Sequence, residues 1–180
     1  MKVLLHICCG PCAIYSVNRL RERGDSVEGF FYNPNIHPAS EYTQRKESVV
    51  KLSESMDFRL ISFRDFQFED FFRKVSFHEQ NGRCSHCWLL RLSMTAEYAS
   101  KNQFDGFSTT LLISPYQDHE KIKEIATRVG SKYSVTFAYE DFRKGFSQSQ
   151  KASREMGLYR QKYCGCIYSE RERHQKVERV

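Results

Sequence analysis

Apolar residues in this chain fall in two arrangements, short continuous runs and stripes at three-to-four spacing, and their alternation predicts strands separated by helices. Val3-Leu-Leu-His-Ile, within Lys2–Cys9, is a run expected of a strand buried on both faces. Gly10-Pro11 should turn the chain, after which Ile14, Val17 and Leu20 mark one face of a helix closed by Gly24. Val27–Tyr32 reads as a second strand, stopped by Asn33-Pro34-Asn35. Ser40 can cap the next helix, whose inner face carries Tyr42, Val49, Leu52 and Met56. Phe58–Phe63 follows as a third strand, and Phe66–Phe77 as a short helix over the core. Cys84–Lys101 is helical, with Leu89, Leu92, Ala96 and Ala99 at core spacing. Phe107–Ile113 reads as a strand ending at Ser114-Pro115, and Asp118 can cap a helix bearing Ile122, Ile125, Ala126 and Val129. Val135–Tyr139 gives a fifth strand; from Ser147 onward the chain is helical and polar, interrupted by Cys-Gly-Cys.

Strands alternating with helices imply parallel β-α-β units and a three-layer, Rossmann-like α/β sheet with a helical carboxyl-terminal part. Such sheets bind ligands beyond the carboxyl ends of their strands. Cys8 and Cys9, Asn33-Pro34-Asn35 and Ser114-Pro115 all fall at that edge. With no repeat or linker, residues 1–180 are expected to form one domain.

Composition narrows the class. The chain is 40% hydrophobic and 14% aromatic, enough to build a core, so disorder is not expected. No apolar run approaches the ~20 residues of a membrane helix, and the opening Met-Lys-Val-Leu-Leu-His-Ile lacks the pattern of a signal peptide. A cytoplasmic protein with no membrane partner is therefore expected. The net charge is +6, with Arg143, Lys144, Lys151, Arg154, Arg160, Lys162, Arg171 and Arg173 crowded toward the end. That distribution suits RNA phosphates, although a solvated basic surface accounts for it equally well.

The seven cysteines form three tight groups: Cys8, Cys9 and Cys12; Cys84 and Cys87; Cys164 and Cys166. In a reducing compartment such clustering points to metal ligands or redox thiols. Cys84-x-x-Cys87 at a helix start can converge on one ion, with the first-turn amides favouring thiolates. Cys8 and Cys9 can share a site only where the strand breaks. Four thiolates from Cys8, Cys9, Cys84 and Cys87 could bind zinc or an iron–sulfur cluster, and spacing leaves the two level. Cys9-Gly-Pro-Cys12 is an alternative claw. Cys164-Gly-Cys166 is too tight to clamp one ion comfortably with both sulfurs and fits a readily reduced dithiol, with two further metal ligands, or one buried and one exposed thiol, as the alternatives. A zinc-stabilised RNA-binding module and a metal-free thiol oxidoreductase thus remain open. His6 reads as a core histidine, and His86 could touch the site or face solvent. Asn33, Asn35, Glu41, Tyr42 and Arg45 could bind substrate or serve turns and caps.

Several segments, in order along nearly the whole chain, resemble the cobalamin-independent epoxyqueuosine reductases of QueH type. They are Leu5-His-Ile-Cys-Cys-Gly-Pro-Cys12, Phe31-Tyr-Asn-Pro-Asn-Ile-His-Pro38 with Glu41, Tyr42 and Arg45, and Arg83-Cys-x-x-Cys87 with Arg91-Leu92. Thr109-Thr-Leu-Leu-Ile-Ser-Pro115 and Leu158-Tyr-Arg-Gln-x-Tyr-Cys-Gly-Cys166 complete the set. The resemblance implies a HUP (adenine nucleotide alpha-hydrolase-like) sheet. It also implies two-electron deoxygenation of epoxyqueuosine to queuosine at the tRNA wobble position, fed by an electron donor. It places 4Fe–4S ligands at Cys8, Cys9, Cys84 and Cys87, and a redox pair at Cys164 and Cys166. An adjacent mononuclear iron with a carboxylate ligand is expected too; Asp105, Asp118 and Asp141 are the candidates, and Cys12 could also ligate it. Tyr163, His86 or a metal-bound water could supply the proton, and Tyr32 or Tyr42 could stack an extruded base.

Overall fold

The computed structural model describes residues 1–62, 68–78 and 82–177. Five strands, β1 (Lys2–His6), β2 (Ser26–Phe31), β3 (Leu60–Ser62), β4 (Gly106–Thr109) and β5 (Thr136–Phe137), form one sheet in the order β3-β2-β1-β4-β5. Every pairing is parallel. Val3, Leu4, Leu5 and His6 are wholly buried, because helices cover both faces of this central strand. On one face lie α1 (Gly10–Glu22), α2 (Ala39–Ser55) and α6 (Phe146–Glu155); on the other lie α3 (Glu69–Val75), α4 (Arg83–Lys101) and α5 (His119–Tyr133). A last helix, α7 (Ile167–Val177), follows the Cys-Gly-Cys loop.

The element order matches the sequence pattern, with instructive differences at the ends. The first strand stops at His6, and Cys9 is already the extended N-cap of α1. Gly10-Pro11 therefore does not precede the helix as a turn but forms its first turn, where proline's missing amide is no loss. The predicted fourth strand ends at Thr109, and Thr110–Ile113 winds into a 3-10 turn instead. Thr109 Oγ1 accepts from Leu111 N and so initiates that turn. The fifth strand shrinks to Thr136 and Phe137. The aromatic helix runs Glu69–Val75; Phe63 and Phe66, which bound two expected elements, lie outside the described residues. Asp118 caps α5 as expected, its carboxylate accepting from Lys121 N at 3.0 Å.

The strand order switches at β1: β2 and β3 are laid down to one side of it and β4 and β5 to the other. A crevice opens there at the carboxyl edge in folds of this kind. His6 pairs with Thr109 across it, so Cys8 and Thr110 meet just beyond: Cys8 N donates to Thr110 Oγ1 at 3.1 Å. Among the described residues no helix is long and apolar enough to cross a membrane.

Candidate metal and redox site

Three thiols meet at this crevice. Cys8, Cys9 and Cys12 are buried, and their sulfurs all lie within 4.8 Å of one another. The extended Cys9 (φ −170°, ψ 162°) breaks the strand so that neighbouring sulfurs converge to 3.7 Å, and Cys12 joins them from the first turn of α1. Thr110 Oγ1 donates to Cys8 Sγ at 3.3 Å, and Gln161 Nε2 reaches Cys9 Sγ at 2.9 Å and Cys12 Sγ at 3.8 Å. Hydrogen bonds from Cys12 and Cys9 lower the pKa of Cys8, whereas Cys9 and Cys12 are raised, Cys9 by burial and Cys12 by its thiol neighbours. The three sulfurs thus sit in mutual contact, with Thr110 and Gln161 donating to them.

The other four cysteines form a second group. Cys84, Cys87 and Arg91 share one face of α4, three and four residues apart. Cys87 and Cys166 are buried together beneath Phe71 and Val75 of α3. Burial raises Cys87 to about 12, and the charges of Cys164, Cys166 and Cys84 push the same way. Cys84 and Cys164 are exposed, although lost hydration about their sulfurs still raises both thiols. Gln117 Nε2 donates to Cys164 Sγ at 3.3 Å, while Gln117 Oε1 accepts from Trp88 Nε1 at 2.9 Å.

Arg91 lies between the two groups. Its side chain is 1% exposed, Nε donates to the Cys87 carbonyl at 3.3 Å, and Nη2 is buried without a partner. Among the described residues no carboxylate pairs with it. Its charge acts chiefly on Cys87, Cys164 and Cys8. A buried guanidinium stays protonated and is costly unless anionic neighbours compensate it. Here the available anions are thiolates. Seven thiols at one edge, a permanently charged residue among them, and unpartnered Arg91 Nη2 and Gln161 Oε1 fit an anionic thiolate–metal group.

Behind the site, Arg45 acts as a clamp. It is 1% exposed; Nε pairs with Glu41 at 2.7 Å, Nη1 donates to Cys164 O and Nη2 to Tyr163 O, each at 2.9 Å. Tyr159 donates to Glu41, and Tyr163 to the carbonyl of His37. His37 N donates to Gly165 O at 2.8 Å. Gly165 adopts φ +137°, and a Cβ there would lie 3.1 Å from Ile36 and 3.3 Å from Arg45. The loop after β2 thereby pins the Cys-Gly-Cys loop. Asn33 Nδ2 donates to Ile7 O at 2.8 Å. In this structure, then, Arg45, Glu41 and Asn33 serve main-chain scaffolding rather than facing a substrate.

Other expected contributors are also relocated. Tyr32 and Tyr42 are 4% and 7% exposed, packed in the core, and cannot offer a face to an extruded base. His86 stacks on His78 with centroids 4.2 Å apart and points into a groove with Arg73 and Lys74, on the side of α4 away from Cys84 and Cys87. Tyr163 lines the cysteine cleft, but its hydroxyl is bound to His37 O and its pKa is raised to about 12, chiefly by burial. Asp105 lies before β4 at the opposite edge, accepting from Lys2 N at 2.6 Å, and Asp141 pairs with Arg143. Asp118 caps α5, next to Gln117. His6 is a core residue as expected: burial, aided by Arg91, lowers it to about 4. Being neutral, it donates from Nε2 to Tyr32 O and accepts at Nδ1 from Thr109. Arg91, Thr110 and Gln161 fall inside the motifs that carry the resemblance, but only the fold shows what each touches; Gln117 lies outside those motifs.

A cleft of about 790 Å³ opens onto this site, with Cys12 and Cys164 in its wall. The epoxyqueuosine reductase QueH family model matches residues 3–172. The epoxyqueuosine reductase QueH of Dehalococcoides mccartyi is 42% identical over 175 residues, covering 97% of this chain and 96% of its own. That of Thermotoga maritima is 36% identical over 188 residues, covering 98% and 96%. That of Acinetobacter baylyi is 34% identical over 178 residues, covering 95% and 81%. Matched from end to end, with the motif cysteines gathered at one sheet edge, this chain belongs to the epoxyqueuosine reductase QueH family.

Proposed function

We propose that the chain performs the last step of queuosine biosynthesis in the cytoplasm. It removes the epoxide oxygen of epoxyqueuosine at the tRNA wobble position, taking two electrons and two protons and releasing water. Cys8, Cys9, Cys84 and Cys87 hold a 4Fe–4S cluster, with a mononuclear iron beside it for which Cys12 is the available thiol. Cys164 and Cys166 act as the redox pair, fed by an external electron donor. The observation that carries the metal reading is Arg91, a buried cation whose neighbours are thiols of both groups and, among the described residues, no paired carboxylate.

Such a group supplies electrons singly and a Lewis acid for the departing oxygen. The protein's own residues do the rest. Arg91 stabilises thiolates at Cys8, Cys87 and Cys164, and Thr110 and Gln161 donate to the amino-terminal sulfurs. Phe71 and Val75 exclude water from Cys87 and Cys166, while exposed Cys164 meets the cleft. Arg45 fixes the height of Cys164 through two carbonyls.

Anaerobic purification should yield a brown protein with about four or more irons and matching sulfide. Incubated with reductant and epoxyqueuosine-containing tRNA, it should give queuosine by nucleoside mass spectrometry. A colourless protein carrying only zinc, or no conversion by the iron-loaded protein, would overturn the reading.

A further inference from the structure

The cleft beside Cys164 is rimmed by an exposed aromatic and several cations. Tyr116 is 86% exposed, although an aromatic of its size ordinarily covers apolar surface. Its ring meets Phe146 in a T-shaped pair, centroids 6.1 Å apart at 84°, and its exposure leaves ring surface open to solvent. It is also held in place: Tyr116 N donates to Ser114 Oγ, and the adjacent Gln117 bonds both Trp88 and Cys164 Sγ. An open ring on a tethered backbone thus stands next to the residue that bonds the exposed Cys164 sulfur.

Charge completes the rim. Arg154, Arg160, Lys162 and Arg173 line the same cleft and are exposed, against the single carboxylate of Glu172, which Arg83 already pairs at 2.6 Å. Arg160 bonds Gln150, and Arg173 donates to Lys162 O. Among the described residues neither Arg154 nor the Lys162 ammonium has a carboxylate partner. Excess positive charge alone would also suit an acidic protein. An open aromatic face among cations is what unstacked bases and their phosphates require together.

We propose that Tyr116, backed by Phe146, stacks on a base of the anticodon loop while Arg154 and Lys162 bind its phosphates, making this rim the RNA-docking surface. The proposal rests on the reductase reading and names the surface that serves it. The test is binding of an unmodified anticodon stem-loop RNA to iron-loaded protein, by fluorescence anisotropy across a salt series. Tyr116→Ala should weaken binding about tenfold or more, as loss of one stacking platform does, while Tyr116→Phe stays within about twofold. Arg154→Gln and Lys162→Gln should each lower the salt slope by about one. Tyr116 is exposed, so its variants should melt like the parent. Unchanged RNA affinity in Tyr116→Ala overturns the proposal, as does a loss confined to turnover with an acidic protein donor. Wild-type protein that binds RNA but converts no epoxyqueuosine would sink the reductase reading and leave this surface standing.

Discussion

The amino-terminal and carboxyl-terminal thiols reach the same sheet edge by different physical means. Cys8, Cys9 and Cys12 follow directly on the central strand of the sheet and open the next helix, so their place is set by the core. Cys164 and Cys166 sit on the loop between α6 and α7. Their place is set by a few polar contacts, namely Arg45 to two carbonyls, His37 to a third, and Ser169 under Cys166. A nest built into the core suits a resident metal group, which needs ligands that do not move. A pinned loop with one exposed sulfur suits thiols that change partners during turnover.

The largest effect that would break this contrast is loss of metal. Replacing Cys9 with Ala should take iron content and turnover to background, since the nest supplies adjacent thiolates. Replacing Cys164 with Ser should keep the iron and its absorption yet slow turnover at least tenfold. Iron analysis with the visible spectrum decides: iron lost equally from both variants would erase the distinction between holding and relaying.

Next in size is Arg45→Met. It leaves Glu41 buried and frees the carbonyls of Tyr163 and Cys164, which should cost about 3–5 kcal/mol. Cys164 should then react faster with a bulky maleimide, and protease should cut near the loop, with the amino-terminal nest unaffected. Gly165→Ala is smaller, about 1–3 kcal/mol, because alanine at φ +137° is strained and its Cβ presses on Ile36. Thermal melts rank the two, and a larger loss in Gly165→Ala would mean that backbone strain, not the clamp, holds the loop.

How far each region could be read from sequence follows the same division. The continuous apolar run Val3-Leu-Leu-His-Ile identified the central strand, and Asn33-Pro34-Asn35 and Ser114-Pro115 marked the edge, because burial and turn chemistry are local. The thiol groupings were equally visible. In sequence Arg45 and Tyr42 look like possible substrate contacts because sequence does not show burial; in the fold the Arg45 fork is bonded to main-chain carbonyls, and Tyr42 packs on Phe31 at 5.4 Å. Gln161 and Cys9 are 152 positions apart, a contact without local signature. Nothing in the chain marks Tyr116, rather than Tyr32 or Tyr42, as the tyrosine that remains exposed.

The finest probe of the contrast is Ser169→Ala at the start of α7. Ser169 Oγ donates to Cys166 O at 2.7 Å, accepts from Gly165 N at 3.3 Å, and lies 3.5 Å from Cys166 Sγ. Removing it takes away one polar tie of the loop, but Arg45 and His37 remain. The expected loss is about 0.5–1.5 kcal/mol, within the range of one neutral hydrogen bond. The telling readout is local: disulfide formation between Cys164 and Cys166 under mild oxidant should change by a few-fold, with iron content unaltered. If Ser169→Ala instead releases iron, then Cys166 bears on the metal and the two thiol regions are one site rather than two.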